Sequence, residues 1–238
     1  MKKYLLLTAP LFIFSSCLHW GKRVRGDGNI QAKEVTVSSF NELHVSGSVS
    51  VYILQGDLKP VKIEADENLL PYIEVKQDGD ELTIKNKDDF DLISGGDMKI
   101  YITAPSFHSI ELSGAGDILT ENPITNPDPL ELDLSGAGDI KMDISAPKLT
   151  AQISGVGSIY LKGVAVDADF DVSGAGSAHC YGLTADNVSA TISGVGSAEV
   201  HADKKLEADV SGVGSIHYKG NATDIDQHVS GAGSVSKE

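Results

Sequence analysis

The chain is short of cysteine, arginine and aromatic rings, and each shortage closes off a class of protein. Cys17 and Cys180 are the two cysteines in 238 residues, so at most one disulfide could form. Arginine stands only at Arg23 and Arg25, and 19 Lys+Arg face 34 Asp+Glu, a formal net charge of −15. Nucleic-acid binding draws its affinity from Lys and Arg that neutralise phosphates, so a nucleic-acid partner is excluded. A basic patch for docking on anionic lipid is missing as well. After Cys17 there are no helix caps and no apolar run with a 3.6-residue period. Aromatics make up 6% of a chain that holds 25 glycines, and it reads as all-β.

The N-terminus reads MKKYLLLTAPLFIFSSC. Lys2 and Lys3 precede an apolar stretch, Tyr4 to Phe14, that is too short to span a bilayer as a helix. Ser15 and Ser16 then lead into Cys17, an arrangement that resembles the lipobox of bacterial lipoproteins, with Phe14 in place of the usual Leu. It implies a signal peptide over 1–16, cleavage before Cys17 and acylation of its thiol. Removing residues 1–16 takes away two lysines and no acid, leaving 17 basic against 34 acidic side chains, a net charge of −17. With no second hydrophobic span, the protein is expected to be tethered to a membrane rather than embedded in it. Residues 17–33 are expected to form the tether and 34–238 a single domain.

That domain is dominated by one hexamer. SGAGDI begins at Ser113 and again at Ser135, followed by SGVGSI at Ser154, SGAGSA at Ser173, SGVGSA at Ser193, SGVGSI at Ser211 and SGAGSV at Ser230. Successive starts differ by 22, 19, 19, 20, 18 and 19 residues. SGGDMKI at Ser94 reads as a worn copy and SGSVSV at Ser46 as a more distant one. Around each hexamer apolar residues alternate with polar ones: Leu130, Leu132 and Leu134 lead in, and Ile140, Met142 and Ile144 lead out. Alternation marks strands with one buried face. A period near 19 leaves no room for a crossover helix, so the units stack as coils of a β-solenoid, strand on strand in parallel. Residues 94–238 are expected to form regular coils and 34–93 an irregular opening, with a DG turn between ENLLPYIEV and DELTI. The paired glycines are expected at a corner, where positive φ or close stacking excludes a side chain. The Ala or Val between them suits a small packed slot.

Other readings of the hexamer fail on spacing. A dinucleotide loop needs a helix after its glycines, and none follows. A calcium stack needs recurring acids, yet Asp117 and Asp139 give way to Ser158, Ser177, Ser197, Ser215 and Ser234. His179 and His217 can share a face two coils apart, too far to share one metal ion, and His201 is offset, so no metal or cofactor is expected. Cys180 is expected as a small buried hydrophobe rather than a nucleophile, since neighbouring His179 should point to the opposite face. Asp133, Asp143, Asp169, Asp171 and Asp209 fall on outward positions and read as a solvated face.

The serial SGAGD and SGVGS coils, together with VSSFNELHVSGSVSVYILQGD and IEADENLLPYIEV, resemble the head GIN domain family of auto-transporter adhesins over about residues 26–238. The resemblance implies a right-handed parallel β-helix and brings no catalytic or binding residues with it. The expected function is a non-catalytic, lipid-anchored interaction module of the bacterial cell envelope, on the outer membrane, offering an acidic rod to a protein or glycan. The alternatives are a polysaccharide-acting β-helix enzyme, which would need converging carboxylates and a basic residue, and a structural envelope component without a ligand.

Overall fold

A computed structural model describes residues 21–238. The fold is all-β, a solenoid of about 7 turns with coils of about 19 residues. The chain enters through β1 (Lys22–Arg25) and β2 (Ile30–Val35), then lays down a first coil from β3 (Glu42–Val45) and β4 (Ser50–Gln55). It next runs through β5 (Val61–Asp66), a 3-10 turn at Leu70–Tyr72, β6 (Ile73–Asp78), β7 (Glu81–Asn86), β8 (Phe90–Ile93) and β9 (Lys99–Ala104). The regular coils follow: β10 (Ser109–Leu112), β11 (Ile118–Thr120), β12 (Ile124–Thr125), β13 (Leu130–Leu134), β14 (Ile140–Ile153), β15 (Ser158–Val172), β16 (Ser177–Ile192), β17 (Ser197–Val210), β18 (Ser215–Lys219), β19 (Asp224–Val229) and β20 (Ser234–Lys237).

The alternation read from the sequence is the packing. The residue before each corner serine forms one inward row, Val45, Leu112, Leu134, Ile153, Val172, Ile192 and Val210, paired coil to coil and fully buried. A second row starts the strand after the corner: Ile100, Val51, Ile118, Ile140, Ile159, Ala178, Ala198 and Ile216. Where a coil contributes the large Phe170, its neighbours in register contribute Ala151 and Ala190, so successive levels interdigitate.

The hexamers lie at bends, one above another, and their glycines answer to stacking rather than to φ. Positive φ occurs at Gly28, Gly79, Gly163 and Gly220, and at none of the hexamer glycines. What excludes a side chain is the coil below. A Cβ built on Gly194 would fall under 3.0 Å from the carbonyl oxygens of Gly174 and Ser173. The same Gly174 carbonyl accepts the amide of Val195 at 3.0 Å. The inter-coil ladder therefore continues around the corner, and its acceptor occupies the space a Cβ needs. The residue between the glycines points outward instead of filling a packed slot: Val156, Val195 and Val213 are 66%, 67% and 61% exposed.

At the base, stack order departs from chain order. The coil directly beneath Ser113 is that of Ser46, not that of Ser94: the Ser113 amide donates to the Val45 carbonyl at 2.9 Å, and β3 pairs with β10. The later strands β7 and β9 lie under β3 and β4. Ser94 leaves the column because it is a ligand of Asp66, a fully buried carboxylate. The Ser94 hydroxyl and the Gly28 amide each donate to it at 2.6 Å. Those bonds, with that from Ser94 foremost, hold the Asp66 carboxyl below its ordinary value against the opposing effect of burial. They also latch the N-terminal arm to the base. Residues 22–25 and 30–33, within the stretch expected as tether, lie in strands: β1 pairs with β8 and β2 runs antiparallel to β5.

Candidate functional site

Consecutive strands in register place equivalent outward residues one strand spacing apart, about 4.8 Å. One such row reads Tyr101, Tyr52, Leu119, Lys141, Tyr160, His179, Glu199 and His217. At that spacing flat side chains stack. Tyr52 and Tyr101 lie 5.3 Å apart at 21°, and Tyr160 and His179 lie 4.8 Å apart at 17°. The ring faces are turned along the stack and the edges toward solvent. The Lys141 ammonium sits 5.3 Å from the Tyr160 ring centre, and His179 Nδ1 meets Glu199 Oε2 at 2.9 Å.

The row opens into a groove where one coil loses register. Leu119 pairs with Lys141 and Ile124 with Ile144, so four residues, 120–123, span what two residues span on the coil above. The surplus bulges outward and is pinned to the coil below. Asn122 Oδ1 accepts the Gln55 amide at 2.8 Å, while Asn122 Nδ2 donates to the Gln55 carbonyl at 2.9 Å. Between this bulge and the Tyr160–His179 stack lies a groove of about 620 Å³ floored by Met142 and Leu161. Its charges are organised. Lys141 reaches Asp139 at 3.0 Å, which holds the ammonium above its ordinary value, and Lys162 reaches Asp143 at 3.2 Å. The groove offers ring edges, an apolar floor, amide groups and charged heads in fixed places. It suits the binding of a polar, partly apolar ligand by contact.

Of the residues singled out from the sequence, His179 and Asp143 line the groove, and the others fall elsewhere or into structural roles. Cys17 lies outside the described residues. Cys180 is buried, and burial pushes its thiol pKa up, away from a reactive thiolate. His179 and His217 do share a row two coils apart, with Glu199 between them; His201 stands in another row and meets Asp203 at 3.4 Å. Asp117 and Asp139 accept backbone amides of the coil above, from Asp139 at 2.9 Å and Ser158 at 3.0 Å. Serine takes over higher up through hydroxyl ladders such as Ser197 to Ser177 at 3.0 Å. Among the described residues no three His, Cys, Asp or Glu side chains converge as a metal site would require.

The outward acids form a lattice. Asp133, Asp171 and Asp209 occupy one row with Gln152 and Thr191 between them; Glu131, Asp169 and Glu207 occupy the next with Thr150 and Ser189 between. Within these spans the acids fall on alternate coils, which spares them the direct opposition of like charges that destabilises a sheet; beyond them Glu111 faces Asp133 and Glu207 faces Asp226 directly. Lys148 meets Asp169 at 3.0 Å on this face. Asp143, the fifth acid of the set, lies instead in the groove. The groove itself went unread from the sequence, although one signal for it is there: the interval of 22 residues between Ser113 and Ser135, the longest in the series.

Comparison with known proteins places this architecture. Solved structures with the same fold include an adhesin-named protein from Bacteroides fragilis, at 28% identity and TM-score 0.85, covering 90% of this chain and 100% of that one. Another, from Parabacteroides distasonis, aligns at 26% identity and TM-score 0.71, covering 91% of this chain and 100% of that one. A third, from Parabacteroides merdae, shares the fold at 23% identity and TM-score 0.70, with 91% and 99% covered. No curated protein matches. The family model described as "putative auto-transporter adhesin, head GIN domain" matches residues 39–222, from the entry to β3 up to the turn below β19, and the chain belongs to that family.

Proposed function

We propose that this chain is a non-catalytic lipoprotein of the bacterial cell envelope, acylated at Cys17 on the outer membrane, which uses its solenoid to hold a protein or glycan partner. The observation that carries this reading is the groove beside Tyr160. It has pinned walls and fixed charges but no nucleophile paired with a base, which is the arrangement of a binding site. The adhesin names of its structural relatives from Bacteroides and Parabacteroides support the same reading, and the SSC site after a short apolar stretch supports the anchor.

An array of glycans and matrix proteins probed with the mature chain tests the binding role. Tyr160→Ala and Lys141→Gln, which alter the groove wall and leave the inward rows intact, should abolish the array signal while the denaturation midpoint stays near that of wild type. A signal that survives both substitutions places the contact elsewhere. Incorporation of an alkyne-labelled fatty acid, lost in Cys17→Ala, tests the anchor separately.

A further inference from the structure

The two ends of the stack differ. The base is closed by the antiparallel strands β2, β5 and β6 and by the Asp66 latch. The other end is open: β19 pairs with β17 below it and β20 with β18, and among the described residues nothing pairs with their upper edges. Inward rows that are sealed one coil lower surface here. Leu206 and Val210 are 0% exposed, whereas Ile225 and Val229, directly above them, are 38% and 43% exposed. An unpaired strand edge with apolar side chains beside it is a template for another strand.

The phase of the edge is readable. The Ser230 amide donates downward to the Val210 carbonyl at 2.9 Å. Successive peptide groups of a strand alternate in direction, so Asp226 and His228 also direct their N–H and C=O groups down. Those of Ile225, Gln227 and Val229 point up, unpaired. These are the same three residues whose side chains face inward, since they lie above Leu206, Ala208 and Val210. The outward residues between them are Asp226 and His228.

This edge is complementary to itself. We infer that two copies of this chain pair tip to tip, β19 antiparallel to β19, about a two-fold axis through Gln227. In that register Gln227 faces the Gln227 of the second copy, and Ile225 faces Val229 in both directions. All three are hydrogen-bonded pairs, so six backbone bonds form and no upward N–H or C=O of the strand core is left over. The inward side chains meet inward ones, which closes Ile225 over Val229. The outward side chains pair Asp226 with His228, an N–H donor against a carboxylate in either protonation state of the ring. A register shifted by one residue would set Ile225 against His228 and reverse the faces. Gln227 is the polar member of a row otherwise built from Ile110, Leu132, Ala151, Phe170, Ala190 and Ala208. On a two-fold axis its amide, donor and acceptor at once, satisfies its own copy. An isologous pair closes at two copies, whereas joining the tip to a base would propagate into a filament.

The pairing also bears on the anchor. β1 lies at the base and begins five residues after Cys17, so copies acylated as proposed above would present their tips away from the membrane. Tip pairing would then join copies on facing surfaces. This corollary rests on the anchor; the pairing itself does not, and it is tested in solution.

The experiment uses the chain from Leu18 onward, which contains every residue the structure describes and keeps buried Cys180 as its one thiol. Sedimentation at up to about 200 µM, a range suited to a small interface, should show a monomer–dimer equilibrium. Asp226→His and His228→Asp each set like groups across the axis and should weaken the dimer roughly tenfold, since each change acts twice by symmetry. The double exchange restores an opposite pair and should recover wild-type affinity. Gln227→Cys should give a disulfide-linked dimer on mild oxidation, because the Cα atoms of a hydrogen-bonded antiparallel pair lie about 5.5 Å apart. Ser211→Cys, one coil lower on the corner, should not. A monomer at every concentration, assembly beyond the dimer, no rescue in the double exchange, or equal cross-linking from both cysteine variants would each overturn the proposal.

Discussion

Gly194→Ala isolates the reason for the repeated hexamer. The backbone at Gly194 has no positive φ, so alanine meets no torsional penalty there. Its one added atom would lie under 3.0 Å from Gly174 O, Ser173 O and Ser173 C, all backbone atoms that cannot rotate away. The coil has to rise or slide to admit it. Such overpacking costs about 1–3 kcal/mol. Lifting the corner also stretches the bond from the Val195 amide to Gly174 O, 3.0 Å in the wild type, which adds about 0.5–1.5 kcal/mol. Together they predict a loss of roughly 2–4 kcal/mol, read as a lower urea midpoint. Because a coil touches chiefly its neighbours, amide exchange should accelerate first in β16 and β17 and leave β10 and the base protected. Gly95→Ala is the control: a Cβ there meets nothing within 4 Å and φ is not positive, so its midpoint should move by less than about 0.5 kcal/mol equivalent. Equal midpoints for Gly194→Ala and wild type would refute close stacking as the reason for the glycines.

The latch and the buried thiol give two further tests. Asp66 is held below its ordinary carboxylate value, so it stabilises the docked arm above the unfolded value of about 3.9 and ceases to as pH falls through its depressed folded value. Exchange of the amides in residues 22–35, corrected for intrinsic rate, should therefore rise in acid while β14 to β17 stay protected. Asp66→Asn, which turns an amide NH2 toward one of the two donors, Ser94 or Gly28, and removes the charge, should release the arm at neutral pH as well; an arm equally protected in both proteins would show that the carboxylate is not the latch. Cys180, with its thiol raised by burial, should resist iodoacetamide in the native protein at pH 8 and react in step with unfolding, and rapid labelling without unfolding would contradict its placement.

Much of the solenoid is legible in the sequence because its rules are local. Each coil must bury the same alternating positions and turn at the same level, and a rule that every coil obeys prints itself as a period. The groove and the base are illegible for the complementary reason. They are built where one coil breaks the rule, and what the break accomplishes depends on residues distant in sequence. Asn122 serves the bulge only through Gln55, and Ser94 serves Asp66 through a contact 28 residues away. SGGDMKI imitates a corner in letters and spacing, yet the amide of Ser113 finds Val45 below it. Chain order predicted the stack wherever consecutive coils touch, and failed where the chain doubled back beneath its own first coil.

The corner also shows how a motif can have the right place and a different cause. Positive φ and close stacking both call for glycine, and the letters SGAG do not separate them. Geometry does, because the ladder bond from Val195 to Gly174 can exist only if the residue above Gly174 lacks a Cβ. A bend made of αL glycines would turn its peptide groups out of the ladder and leave each level to be joined by its strands alone. In this chain the hydrogen bonds of one coil pass through the corner into the next, from Ala137 on Gly114 to Ala232 on Gly212. The rod is continuous along its corner as well as along its faces. The exposed Ala or Val is what remains free to vary, since it points away from the coils that constrain its neighbours.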